Sequence, residues 1–139
     1  MSDSRNPAVA ALLLRVALGT MFIAHAMLKY FVFTLPGTAQ FFESLGLPGA
    51  LGYATFVIEL VGGVLLIAGV QVRTVSLVLI PILLGATWAH AGNGWLFTSP
   101  KGGWEYPAFW TVTLVVQALL GEGAYALRPA ARATRLQTA

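Results

Sequence analysis

The stretch "LLLRVALGTMFIAHAMLKYF", residues 12–31, decides how this chain is read. It sits in an apolar run as long as a helix needs to cross a bilayer, about 20 residues. Yet it contains Arg15, His25 and Lys29. His25 and Lys29 are four positions apart and share one face of a helix. At about 100° per residue Arg15 falls in the same half. The stretch therefore predicts a spanning helix with one ionisable side.

The rest of the chain is of the same kind. Of its 139 residues, 58% are hydrophobic and 9% are charged, whereas soluble domains are about a quarter charged. Mean hydropathy is +0.79. The apolar residues extend along the whole chain instead of forming one anchor, which describes a single polytopic membrane domain. The formal charge of +3 comes from few residues. It reads as a topology signal, with no nucleic-acid partner implied. Cysteine is absent, which excludes a thiol–disulfide relay, an iron–sulfur cluster or a Cys-type zinc site within this chain.

Working outward, four segments are long and apolar enough to span: 8–30, 50–70, 74–91 and 106–127. "TLPGT" (34–38) and "GLPG" (46–49) bracket the first connection, "QVR" (71–73) forms the second, and "GNGWLFTSPKGG" (92–103) the third. Four spans place both termini on one side. Arg5, Arg73, Arg128, Arg132 and Arg135 lie on the terminal segments and the second connection, so the positive-inside rule makes the termini cytoplasmic. Trp95 and Trp104 suit an aromatic belt on the outer side. In the first connection, Thr38 is placed to N-cap a short interfacial helix "AQFFESL" (39–45), which Gly46 ends before Pro48. The expected organisation is an all-α, four-helix membrane domain over 1–127 with a basic cytoplasmic tail over 128–139. "VALGTMFIA" (16–24) followed by "AHA" (24–26) also has the shape of a signal peptide, but Arg15 interrupts its apolar run and favours an uncleaved first helix.

Ionisable groups within a span are costly and are functional candidates by default. Arg15 lies about 10 Å into the first helix at 1.5 Å per residue. It either snorkels to the headgroups or pairs with Glu59. Glu59 sits near the middle of the second span, where a carboxylate must be protonated, paired or hydrogen-bonded. It serves either as a clamp between helices or as a proton acceptor. His25 and Lys29 occupy the outer end of the first span, and His90 reaches the same level from the third. Glu105 opens the fourth, where the helix dipole alone favours an acidic residue. Gln117 and Glu122 lie toward the cytoplasmic end. The topology therefore predicts an outer-leaflet pocket with His25, Lys29, Glu59, His90 and Glu105 as its chemistry. Trp88, Trp104, Tyr106 and Trp110 are its expected aromatic walls. No spacing motif supports a metal site, and no attachment motif supports haem ligation by His25 and His90.

The order "LLLRVALGTMFIAHAMLKYF", "FFESLGLP", "IELVGGVLLIAGVQVRTVSLVL", "WAHAGNGW" and "GGWEYP" resembles the DoxX-like family of small four-helix membrane proteins. The resemblance runs over about residues 11–125. It implies a four-helix bundle in the bacterial or archaeal cytoplasmic membrane, linked to quinone-dependent electron transfer of the quinol oxidase or thiosulfate:quinone type. The family's arginine falls on Arg15, its histidine and lysine on His25 and Lys29, and its second-helix glutamate on Glu59. Its later histidine falls on His90, and its glycine–glycine–x–glutamate–tyrosine element on Gly102, Gly103, Glu105 and Tyr106.

The leading expectation is a quinone-binding membrane subunit of an oxidoreductase. His25, Lys29 or His90 would donate to the quinone oxygens, and Glu59 or Glu105 would exchange protons. Electrons would come from a protein partner or bound donor, since the chain has no redox-cofactor motif of its own. The alternative is a non-catalytic membrane scaffold or accessory subunit that recruits or stabilises partner proteins, its buried polar groups holding the helices together; in either case a protein partner or a homo-oligomer is expected. A small-molecule or proton pathway is the third, disfavoured because four short helices leave little room for alternating access.

Overall fold

A computed structural model describes residues 5–127. Helix α1 (Arg5–Met27) runs into a π-turn over Leu28–Val32. Helix α2 (Leu35–Ser44) is short, α3 (Ala50–Ala68) and α4 (Val72–His90) are long, and α5 (Glu105–Leu120) closes the bundle. Among the described residues every regular element is helical. Three helical segments are long and apolar enough to cross a membrane: Arg5–Val32, Ala50–Ala68 and Val72–Asn93. The expected basic tail, with Arg128, Arg132 and Arg135, lies outside the described residues.

Helix α1 packs chiefly on α3, and α4 on α5. The core between them is Leu18, Phe22, Leu66, Val72, Leu79, Leu83, Trp110 and Leu114. Outward faces remain apolar, with Val57, Val61, Val64, Phe109 and Leu119 exposed. That pattern suits lipid on the outside of the bundle.

The register of α1 against α3 is set by two glycines. A Cβ at Gly19 would stand 2.6 Å from the Gly63 carbonyl oxygen, and one at Gly63 would stand 2.8 Å from that of Gly19. Small residues let two backbones approach where apolar burial between helices gives no advantage over lipid. Gly63→Ala is therefore expected to cost about 1–3 kcal/mol by overpacking. Gly85→Ala, where a Cβ meets nothing within 4 Å, is expected to stay within about 0.5 kcal/mol of the parent. Unfolding in mixed micelles compares the two.

Three local features differ from the expectations. The short helix in the first connection starts earlier, because Thr34 is the N-cap, its hydroxyl accepting from Gly37 N at 3.1 Å with Pro36 in the first turn. Thr38 is inside that helix, buried, and donates to the Thr34 carbonyl at 2.9 Å. The last helix stops at Leu120, since Gly121 turns out of it with φ 80. Residues 121–127 then fold back across the ends of α1 and α3, with Ala124 N donating to Ala8 O and Leu127 N to Ala68 O, each at 3.0 Å. At 16 residues, α5 is about 24 Å long, which is short of the roughly 30 Å hydrocarbon core.

The returning segment explains Arg15. This side chain is only 1% exposed. It neither snorkels nor pairs with Glu59. Its Nε donates to Glu122 O at 2.9 Å and its Nη2 to Ala124 O at 2.6 Å. Its Nη1 donates to the carbonyls of Leu66 and Ile67. The last carbonyls of a helix have no partner within the helix, and here each of α3's finds one. Gly69 and Val70 N–H return to Leu65 O, Arg15 serves Leu66 and Ile67, and Leu127 serves Ala68. A cation at a helix C-terminus is favoured by the dipole as well. The Gly19–Gly63 crossing places Arg15 level with Ile67, eight residues beyond Glu59 on α3. At 1.5 Å per residue that is about 12 Å too far for the expected pair.

Candidate functional site

Both described termini lie at one end of the bundle, and the loops joining α1 to α3 and α4 to α5 lie at the other. Toward the loop end, α1, α3 and α5 bring together His25, Lys29, Glu59, Tyr106 and Trp110. Lys29 emerges from the π-turn, where the widened backbone places Phe33 N on Leu28 O at 2.9 Å. Such turns recur at functional sites. Its Nζ donates to Glu59 Oε2 at 2.8 Å, with side-chain exposures of 18% and 5%. The buried carboxylate thus has a direct counter-ion, which a span without water requires.

His25 stands four residues before Lys29 on the same helical segment. Its Nδ1 is 2.8 Å from the Met21 carbonyl. A carbonyl only accepts, so Nδ1 carries the proton and Nε2 of the neutral ring presents a lone pair. The imidazole packs against Trp110, with centroids 4.7 Å apart, and lies near-parallel to Tyr106 at 6.4 Å. Trp110 is backed by Phe22 at 4.6 Å. This cluster offers an ion pair, a base and two aromatic faces within one water-poor region.

The other candidates lie elsewhere. His90 repeats the His25 arrangement, its Nδ1 2.8 Å from Ala86 O, but its ring faces Gly102 in the third connection. Glu105 accepts from Phe97 N at 3.2 Å and so ties that connection to α5. Trp104 stacks edge-on against Trp95 at 4.5 Å. Trp88 is 58% exposed and faces outward. Arg15 is near the opposite end. Among the described residues no three His, Cys, Asp or Glu side chains are grouped to hold a metal. An open apolar groove of about 270 Å³ between α3 and α4, lined by Val57, Val61, Leu65 and Val78 among others, contains none of the polar candidates.

Sequence reasoning missed two things here. It did not foresee that Lys29 is the partner of Glu59, because only the helix register shows it. It also overlooked the buried indole N–H of Trp110, which has no hydrogen-bond partner among the described residues. A lone tryptophan in an apolar helix gives no signal of that kind.

Among the described residues, the all-helical architecture, three long apolar helical segments and an ion pair buried between two of them describe a membrane protein with an internal polar site. The DoxX family model matches residues 10–92, and the chain belongs to that family. It is 41% identical over 78 residues to "Putative oxidoreductase CatD" of Bacillus subtilis (strain 168). That alignment covers 56% of this chain and 57% of the relative. No solved structure matches it.

Proposed function

We propose that this chain is a quinone-binding membrane subunit of an oxidoreductase, with its site at the His25–Lys29–Glu59 cluster. The observation that supports this most is the Lys29–Glu59 pair held beside a histidine with a free lone pair and two aromatic rings. Quinone chemistry needs proton exchange next to a flat apolar ring, and these groups supply both. His25 and Glu59 exchange protons, Lys29 steadies the negative charge, and Tyr106 and Trp110 flank the ring. Electrons come from a partner subunit or bound donor. The relative's designation as an oxidoreductase agrees with this class.

In this reading α5 is the fourth crossing, its short helix lengthened by the flanking loops. Arg5 and Arg73 at the terminal end put that end in the cytoplasm, and the loop end faces outward across the cytoplasmic membrane of a bacterium or archaeon. The test is to purify the protein in nanodiscs, extract its lipid and assay for quinone, then titrate a short-tailed 1,4-benzoquinone. His25→Ala is expected to weaken binding of the reduced, hydroquinone form of that probe about tenfold while leaving the fold intact, since its ring hydrogen bond is local.

One observation favours a second reading, a non-catalytic scaffold. Arg15 is wholly engaged with backbone carbonyls, so part of the intramembrane polar set does hold helices together. Absence of quinone binding in the intact protein, with lowered melting temperature in Glu59→Gln and His25→Ala, would establish that reading instead.

A further inference from the structure

A ligand that exchanges protons with Glu59 has to reach a side chain that is 5% exposed, so an element beside it has to move. Helix α2 is the most loosely seated of these. Of its ten residues only Thr38 is buried, and a segment with so little buried surface opens at low cost. It nevertheless touches both segments that carry the ion pair. Thr38 Oγ1 reaches the Lys29 carbonyl at a long 3.5 Å, and a Cβ at Gly52 would stand 3.2 Å from Ala39 Cα. Glu59 lies seven residues beyond Gly52, on the same face of α3 and about 10 Å further into the bundle at 1.5 Å per residue. Thr38 and Ala39 therefore sit across the loop-end side of the Lys29–Glu59 pair.

Both ends of α2 are built to turn. Thr34, its N-cap, has φ 63° and ψ 157°, a region that residues other than glycine enter only under strain. Gly46, just past the other end, has φ 81°, and a Cβ there would meet nothing within 4 Å among the described residues. Hinges are a few end-of-element positions that absorb such backbone changes. Phe41 is already 50% exposed, so its ring keeps an apolar contact with lipid whether the helix is seated or displaced.

We infer that α2 is a lid on the site, swinging about Thr34 and Gly46 to admit the ring ligand to Lys29 and Glu59 from the loop end. Seated on Gly52, it excludes water while protons move, which strengthens the electrostatic interactions beneath it. The strain at Thr34 belongs to the seated position and favours opening. This inference rests on the proposed site, and its first test needs no quinone.

The chain has no cysteine and two lysines, Lys29 and Lys101. A Cβ at Gly49 would stand 3.3 Å from Ala39 Cβ, close to the separation of about 3.5–4.5 Å that a disulfide needs. Ala39→Cys with Gly49→Cys, oxidised in nanodiscs, fastens α2 to the start of α3. Acylation by acetic anhydride is then followed by peptide mass spectrometry. Lys29 is expected to react about tenfold more slowly in the oxidised form than in the parent. Lys101 should be unchanged, and reduction should restore the parent rate. Thr34→Gly needs no bridge. Glycine takes that backbone conformation freely and remains an acceptable N-cap, so the lid seats more firmly and Lys29 acylation should slow about fivefold. Lys29 acylated at the parent rate in either variant overturns the lid and leaves the quinone reading standing. The short-tailed benzoquinone is next mixed with the parent and with the oxidised variant, where association should be about tenfold slower. Equal association overturns α2 as the ligand's entrance. No binding to the parent overturns the quinone reading, while the acylation rates still decide the lid.

Discussion

Arg15→Met lowers the stability of this bundle by about 3–5 kcal/mol, the scale observed when a buried charged partner is removed from a satisfied network. The loss is large because one guanidinium serves four carbonyls on two segments: Leu66 and Ile67 at the end of α3, and Glu122 and Ala124 on the returning chain. Methionine fills similar volume but donates nothing, so those oxygens lose their partners together. Arg15→Lys recovers only part of the loss, since an ammonium cannot reproduce the planar fork that spans them. Unfolding in mixed micelles measures the stability. Limited proteolysis near Gly121–Gly123 gives an independent check, because the returning segment should open first. Arg5→Met, at an exposed position, serves as the control and should change neither. A stability loss for Arg15→Met below about 1 kcal/mol would remove Arg15 from its role as the cap of α3.

The Lys29–Glu59 pair gives the second large effect, and its signature is a sign reversal. Lys29→Met leaves a carboxylate alone in the middle of α3, and Glu59→Met leaves an ammonium without its counter-ion. Each single change is expected to cost about 3–5 kcal/mol. The double change should restore stability to near the parent or above it, because two methionines replace an ion pair that bore its own desolvation cost. The coupling energy from the four proteins isolates the pair. Probe binding then separates structure from function. If the double variant folds well yet has lost affinity for the short-tailed benzoquinone, the pair is retained for the ligand. If it folds and binds like the parent, the pair is only a clamp, and the proposed proton-exchange role falls.

Much of the fold was legible without coordinates. The apolar runs predict long helices near their observed places, because a bilayer demands about 20 apolar residues whatever the tertiary context. Gly46 and Gly69 end helices with positive φ where the sequence offers a residue free of a Cβ. The last helix was read too long because apolar content alone does not register a backbone turn. Gly121 and Gly123 within "GEGAY" were the available signal.

By itself the sequence determined that this chain is a helical membrane protein, which side chains would have to be stabilised inside it, and that it resembles the DoxX-like family. Those follow from composition, from helical periodicity and from a recurring order of motifs. Which polar group meets which was decided only by tertiary structure. The close approach of Gly19 and Gly63 fixes the register of α1 on α3, and that register delivers Lys29 to Glu59 and Arg15 to the end of α3. A shift of one helical turn, about 5.4 Å, exceeds the reach of any of these hydrogen bonds, and no property of a single helix encodes it.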